Sequence, residues 1–485
     1  MRHPRVAPAL LLLLLLSLPA HAAKPFLHPI FQDNMVLQRD MPAPVWGWTE
    51  AGKEVKVTIN GKTASATAGP DGKWLAKVGP LTAGGPFEMT VSGPEEVKLA
   101  NVMVGDVWIC SGQSNMEFGI ANGNNAKEEI AAADHPNVRL FTVPENVAYE
   151  PQSGFLKKGE QGKWLVCDPK NITVGDWGGF SAAAYFFGRE LEAKLHVPIG
   201  LIHTSWGGTI AEAWASQQSL EQMPDFTQSL HDLPHEPPAD EKKAWNPNQV
   251  TVLYNGMIAP LEPLAIKGAI WYQGESNAGR PAQYRTLLPT LIRDWRGHFS
   301  GGDFPFLIVQ LASFMPEVDK PAESQWAELR EAQDMTAKTV GHSAIAVALD
   351  IGDGKDIHPK NKQEVGRRLA LDALALAYGQ DVEYAGPTFT KMDVDGNKAV
   401  LHFDHLGGGL EAKGGEALKG FAISGDDKTF VWGDAKIEGD SVVVTSPDVQ
   451  HPTAVRYGWA NNGMSDNLVN KAGLPAPPFR TDAPH

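Results

Sequence analysis

The hydrophobic period changes twice along this 485-residue chain, and that change limits the fold more than any other feature. From residue 102 to about residue 378, short apolar runs alternate with stretches of helical periodicity. The runs fall at 107–110, 138–143, 199–204, 268–272, 306–311 and 344–349, and the helical patterns at 182–195, 281–298, 326–339 and 362–378. Strands this apolar, separated by helices, predict a mainly parallel sheet covered on both faces. In such a sheet the ligand site lies beyond the carboxyl ends of the strands.

On either side the pattern is β-type. Val45-Trp46-Gly47-Trp48, Val55-Lys56-Val57-Thr58-Ile59 and Trp74-Leu75-Ala76-Lys77-Val78 are short runs, and Asn60-Gly61 and Asp71-Gly72 supply the positive φ angles of tight hairpins. After about Glu383 further β runs fall at 399–403, 430–432 and 441–445. Asp393-Val394-Asp395-Gly396-Asn397 resembles the start of a calcium loop. Its sixth position is Lys398 instead of glycine and its twelfth is Asp404, so a hairpin turn is expected. The expected division is a leader at 1–22, a β-sandwich region at 24–100, an α/β domain at 101–380 and a second β region at 381–485.

The leader has the form of a secretory signal: basic Arg2 and Arg5, an apolar core, and Ala20-His21-Ala22 as a small-x-small cleavage pattern. It is too short and wrongly flanked to span a bilayer. The mature protein is therefore expected outside the cytoplasm, secreted or periplasmic, with no membrane insertion after cleavage. Loss of Arg2 and Arg5 takes the formal charge from −15 to −17. That surplus repels nucleic acid and anionic membranes, so neither is expected as a partner. Cys110 and Cys167 are too few for a disulfide scaffold, and a packed free thiol is as reasonable for Cys110 as a bridge. Asn171-Ile172-Thr173 is a sequon that matters only in a eukaryotic host. The Pro-rich stretch 233–248 reads as an excursion loop able to wall a site.

The strand ends carry the chemistry. They read Gly112-Gln113-Ser114-Asn115, Ser205-Trp206-Gly207-Gly208-Thr209, Trp271-Tyr272-Gln273-Gly274-Glu275-Ser276-Asn277-Ala278, and Asp350 through Asp353, Asp356 and His358 to Pro359. Acyl transfer needs such a set. A serine hydroxyl is a weak nucleophile until a neutral imidazole takes its proton, and a carboxylate commonly holds the imidazole in one tautomer. The tetrahedral intermediate carries an oxyanion that fixed N–H donors stabilise. Ser114 lies on a tight turn at a strand end, and Gly207 or Gly208 lets the backbone approach a ligand closely. Each residue also has a plain reading: Ser114 as a cap, Gly207-Gly208 as room for a helix starting near Thr209, Glu275 as a structural carboxylate, Asp356 as a helix cap. His203 and His358 both lie near strand ends, but no HExxH or paired-cysteine spacing accompanies them, so neither a metal nor another cofactor is expected.

Four stretches together, VGDVWICSGQSNME, SWGGTIAEAW, WYQGESNA and DIHPKNKQEVGRRLAL, resemble the sialate O-acetylesterase family within the SGNH-type serine esterases. The resemblance runs from Phe31-Gln32-Asp33-Asn34 to Lys471-Ala472-Gly473-Leu474-Pro475. It implies an SGNH-like three-layer α/β/α domain with accessory β regions at both ends, and metal-independent removal of acetyl groups from sugar hydroxyls. Ser114 would be the nucleophile and His358 the base. The oxyanion donors would be the Ser114 N–H, a glycine at 207 or 208, and an amide after the fourth strand, Gln273 before Asn277. Gln113 and Glu275 complete the candidate oxyanion and substrate-binding set.

One departure stands out. The wider group commonly has an aspartate three residues before the histidine, where this chain has Lys355. Asp356, two before, is assigned to orient His358, with Asp353 and a backbone carbonyl as alternatives. The expected substrate is an acetylated carbohydrate: a sialate if a cation such as Arg280 meets its carboxylate, or a neutral acetylated xylan or xyloglucan, which suits the acidic surface equally. Trp206, Trp214 and Trp271 could stack on pyranose rings. A reading of another class is a non-catalytic glycan-binding protein on the same fold, whose β regions would be its working parts.

Overall fold

The computed structural model describes residues 24–155, 161–234, 236, 238 and 245–482. The leader and much of the 233–248 loop lie outside the described residues. Seven strands form the central sheet: β1 (Glu96–Gly112), β2 (His135–Thr142), β3 (Trp164–Cys167), β4 (Ile199–Ser205), β5 (Gly268–Tyr272), β6 (Phe306–Val309) and β7 (Ser343–Ala346). Their order is β7-β6-β5-β1-β4-β2-β3. All neighbours are parallel except the edge pair β2–β3, which is antiparallel. The apolar runs expected as strands all lie in this sheet, although 344–349 gives only a short strand before a 3₁₀ turn at Leu349–Ile351.

Alternation along β1 separates two cores. Val107 and Ile109 face one layer with Trp271 and Phe306, while Trp108 and Cys110 face the other with Ile270 and Leu307. Helices α2 (Ala182–Leu195) and α5 (Lys362–Leu376) cover the second face, and α3 (Pro281–His298) and α4 (Gln325–Thr339) the first. Burying side chains such as Trp108 and Trp271 stabilises each layer by roughly 1.5–3 kcal/mol per residue. The result is a three-layer α/β/α body. Cys110 and Cys167 are both buried free thiols in the second core.

The amino-terminal region is joined to this body through β1, which runs unbroken past residue 101. Its first half pairs antiparallel with Gly84–Ser92 and its second half enters the parallel sheet. Asn60 and Gly61, both at positive φ, close the hairpin between Glu54–Ile59 and Lys62–Thr67. Asp71-Gly72 differs from expectation. Gly72 has φ +78°, but the turn leads into Lys73–Val78, which pairs with the earlier strand Ala43–Trp48 and not with the preceding one.

The carboxyl-terminal region has its own core around Leu401, Ile423, Val442 and Val455. Asp393 and Asp395 lie on a strand that folds back at Gly396-Asn397, with Asp395 opposite Lys398, so the expected hairpin forms there. Among the described residues no group of His, Cys, Asp and Glu could hold a metal ion. This β region is locked to the α/β body by Arg330, whose guanidinium donates to the carbonyls of Leu311, Ala312, Ala460 and Asn461.

Candidate active site

Three adjacent parallel strands, β5, β1 and β4, end side by side, with Gly112 opposite both Tyr272 and Ser205. Gly112 has φ +141°, and a Cβ there would overlap the Tyr272 carbonyl, which explains the glycine that ends β1. The Gln113 N–H donates to that carbonyl at 3.0 Å and the chain turns into α1 (Ser114–Glu117). This four-residue turn of helix starts at Ser114 and presents the serine at the rim.

The loop after β7 returns across the sheet and brings His358 over the same rim. His358 Nε2 lies 2.9 Å from Ser114 Oγ, and the His358 side chain is 26% exposed. Asp356 Oδ1 lies 3.5 Å from His358 Nδ1 and accepts the His358 backbone N–H at 2.9 Å. Asp353 instead accepts the Lys355 N–H, so its carboxylate serves its own turn. The chain therefore does bend between Asp356 and His358, because Asp356 forms an Asx-type turn to the histidine's own backbone. Burial lowers the His358 pKa, Lys362 lowers it further, and Asp356 opposes both. The imidazole is thereby kept neutral, as a proton acceptor must be.

The candidate donors do not all behave as expected. Gly207 N–H donates to Glu117 Oε2 at 2.5 Å, so that group is committed. Gly208 has φ +74° and open space where a side chain would project, with its carbonyl held by Asn248. Gln273 is fully buried. Its amide donates to Thr209 O and Asn277 Oδ1 while its oxygen accepts from Tyr284, so both amide hydrogens are used. Asn277 donates to Glu212 and, among the described residues, keeps its second amide hydrogen. Gln113 Oε1 accepts from the N–H groups of Gly274 and Ser276, tying the first strand end to the fourth. No α-helix begins near Thr209; a 3₁₀ turn at Ala211–Trp214 takes its place.

Behind the pair sits a polar cluster. Asn115 donates to Glu275 Oε1 at 2.6 Å and to the Ile357 carbonyl at 3.0 Å, and accepts from Lys362 Nζ at 2.6 Å. Glu275 holds Asn115 through Oε1, while its buried Oε2 has no partner among the described residues. Lys362 is fully buried between the rings of Phe118 and Tyr272, and burial pushes its pKa down to about 7. A lysine in the first turn of α5 opposes the helix dipole. That mismatch was the signal in the sequence for a residue with a task, and it passed unread.

Of the expected stacking residues, Trp214 and Trp271 are core. Trp206 is half-buried and packs against the exposed Trp245 at 5.8 Å, where the 233–248 loop rejoins the described residues. The sequence reading missed Trp177, which is exposed and stands edge-on to His358 at 5.0 Å. Arg280 pairs with Glu212 at 2.7 Å. His203 is buried against Ser205, and burial pushes its pKa down to about 4.

A family model described as carbohydrate esterase, sialic acid-specific acetylesterase, matches residues 104–236 and 237–375. The human sialate O-acetylesterase is 31% identical over 92% of this chain and 90% of its own length. The mouse sialate O-acetylesterase is 29% identical over 98% of each. A crystal structure of a carbohydrate acetylesterase from Xanthomonas citri superposes with a TM-score of 0.84 at 40% identity, covering 94% of this chain and 99% of that one. With a match across the α/β body and relatives collinear through both β regions, this chain is a carbohydrate esterase that belongs to the sialic acid-specific acetylesterase family.

Proposed function

We propose that the protein is an exported serine esterase that removes O-acetyl groups from carbohydrates through an acetyl-enzyme. The observation that carries this reading is the 2.9 Å approach of Ser114 Oγ to His358 Nε2. Ser114 Oγ attacks the acetyl carbonyl carbon as His358 Nε2 takes its proton. His358 then returns the proton to the departing sugar oxygen as the ester bond breaks. A water, losing its proton to the same nitrogen, attacks the acetyl-serine; the bond from the acetyl carbon to Ser114 Oγ breaks, His358 returns the proton to Oγ, and acetate leaves. The N–H groups of Ser114 and Gly208, with the remaining amide hydrogen of Asn277, are the donors proposed for the oxyanion. Asp356 stabilises the imidazolium formed in each half-reaction.

The deciding experiment measures acetate release from O-acetylated sialic acid and from acetylated xylo-oligosaccharides, using wild type and Ser114→Ala. Release by wild type, lost in the variant, is expected. Release that survives the substitution would remove Ser114 from the mechanism, and none from folded wild type would favour a glycan-binding protein. Export is tested by amino-terminal sequencing of the mature chain, which is expected to start near Ala23.

A specific observation favours a neutral substrate over sialate. Arg280, the cation weighed for a sialate carboxylate, is already neutralised by the buried Glu212 carboxylate. A ligand carboxylate would have to displace that partner. Acetylated neutral polysaccharide fragments need no such exchange.

A further inference from the structure

A cavity of about 320 Å³ opens where the carboxyl-terminal β region meets the segment around Glu317 and Val318. That is the small end of the range for small-molecule sites, about 300–1,000 Å³. Neither Ser114 nor His358 lines it. Its walls include Trp432, Trp459, Asn462 and Asp466.

Three features mark it as a built site. First, Asp466 is half-buried and, among the described residues, its carboxylate makes no hydrogen bond or ion pair through either oxygen. Asp466 offsets the buried charge of Arg330 from a distance, but Arg330 spends its donors on four backbone carbonyls, so the carboxylate oxygens stay open to a ligand. Burial pushes the Asp466 pKa up to about 7, against the pull of Arg330. Side chains at Gly420 and Gly463 would overlap its oxygens, so the backbone there leaves room for the carboxylate. Second, Trp459 is 6% exposed and its indole N–H, also buried, has no partner among the described residues. Third, Trp432 is 45% exposed, yet its indole N–H is fixed on the Asp319 carbonyl at 2.9 Å, which makes a rigid aromatic face open to solvent.

An acceptor and a donor in one cavity, beside an exposed ring, match the hydroxyls and the apolar C–H face of a sugar. The charges decide which sugar. Lys419, the cation on the wall, is held by Glu416 at 2.6 Å, while Glu317 presents a carboxylate beside the Asp466 carboxyl, which is part-ionised near neutral pH. An anionic sugar is repelled there. The cavity also backs onto the loop of the proposed active site. Asn462 donates to the Met315 carbonyl at 2.6 Å and lies 3.1 Å from where a Cβ on Gly354 would sit, and Gly354 shares its loop with Asp356 and His358.

We propose that this cavity is a subsite for a neutral pyranose unit, stacked on Trp432 and hydrogen-bonded through its hydroxyls to Asp466, which holds a neutral glycan chain beside the deacetylating centre. The proposal rests on the carbohydrate-esterase reading but is tested without turnover. The full chain carrying Ser114→Ala is titrated with unacetylated xylohexaose, cellohexaose and N-acetylneuraminic acid by calorimetry. Saturable binding of a neutral oligosaccharide is expected, with none of the acidic sugar. Adding Trp432→Ala is expected to raise Kd by about tenfold or more, and Asp466→Asn likewise. Trp432 is a surface residue, so an unchanged Tm in its variant separates lost binding from lost folding. No saturable binding of either hexasaccharide up to ~10 mM, or equal binding in the Trp432→Ala variant, overturns the subsite. Failure of the esterase reading is seen separately, as wild type that releases no acetate.

Discussion

Asp356 makes two contacts with His358: its Oδ1 accepts the histidine's backbone N–H at 2.9 Å and stands 3.5 Å from the ring Nδ1. The first contact fixes the loop, and the second sets the carboxylate where positive charge would develop on the ring in the proposed mechanism. A separation of 3.5 Å is longer than a full hydrogen bond, and such contacts commonly tighten once substrate is bound. Asp356→Asn is expected to lower kcat by about 10²–10⁴-fold with little change in KM. Asp353→Asn, whose carboxylate only caps Lys355, is expected to stay within about threefold. Steady-state acetate release by both variants separates the two assignments, and equal losses would refute the one made here.

Lys362 acts on His358 at a distance. Its ammonium lowers the histidine pKa, and with its own pKa of about 7 Lys362 becomes more fully charged as the pH falls below that value. Only neutral His358 can accept the serine proton, so activity falls as pH drops through the His358 pKa. That pKa is held below its ordinary value of 6.5. Removing the ammonium in Lys362→Met should let it rise, moving the acid limb of the kcat/KM profile to higher pH. A limb that stays put, or moves to lower pH, would show that Lys362 serves only to hold Asn115.

The sequence exposed the α/β body because its strands are buried on both faces and its helices carry an apolar stripe. The helices Ala182–Leu195 and Pro281–His298 match the periodicity end to end. The meeting of Ser114 and His358 was expected from the strand-end residues together with the family resemblance, and the two side chains do lie 2.9 Å apart. What could not be read was the division of labour among neighbours. Gln273 and Asn277 are alike in chemistry, and only the folded chain puts Thr209, Tyr284 and Glu212 within reach to decide which amide hydrogens are spent. Trp177 stood in a glycine-rich stretch with no period, and its approach to His358 spans the fold.

The twin glycines differ in what they tolerate. A Cβ on Gly207 would lie 3.0 Å from Glu117 Oε2 and 3.3 Å from the Ser114 Cβ, while one on Gly208 would meet nothing within 4 Å. Gly208 alone has positive φ. Gly207→Ala is therefore expected to displace the serine and lower kcat about tenfold with little change in Tm. Gly208→Ala is expected to cost about 1–2 kcal/mol of stability through its left-handed backbone while its N–H stays in position. Thermal unfolding and kcat measured on both variants should show this crossed pattern, and a matched loss in both would refute it.

Asp350 anchors the base of the loop that carries His358. Its buried carboxylate receives Arg368 in bidentate fashion, at 2.7 and 3.0 Å, and Lys413 from the carboxyl-terminal region at 2.8 Å. Burial alone would raise its pKa, but Arg368 and Lys413 outweigh it and hold the group down at about 2, against 3.8 for a free side chain. The shift corresponds to about 2 kcal/mol of stability, present in full above pH 3.8 and lost as the pH falls through 2. Asp350→Asn leaves the buried Arg368 with Glu364 as its remaining carboxylate partner at 2.9 Å, so the loss near neutral pH is expected to be about 2 kcal/mol, the part the Asp350 charge carries. Denaturant titrations from pH 7 down to pH 2 should show the gap between wild type and variant narrowing below pH 4. A gap that stays constant across that window would mean that the carboxylate's charge is not what binds the loop to α5 and to the β region beneath it.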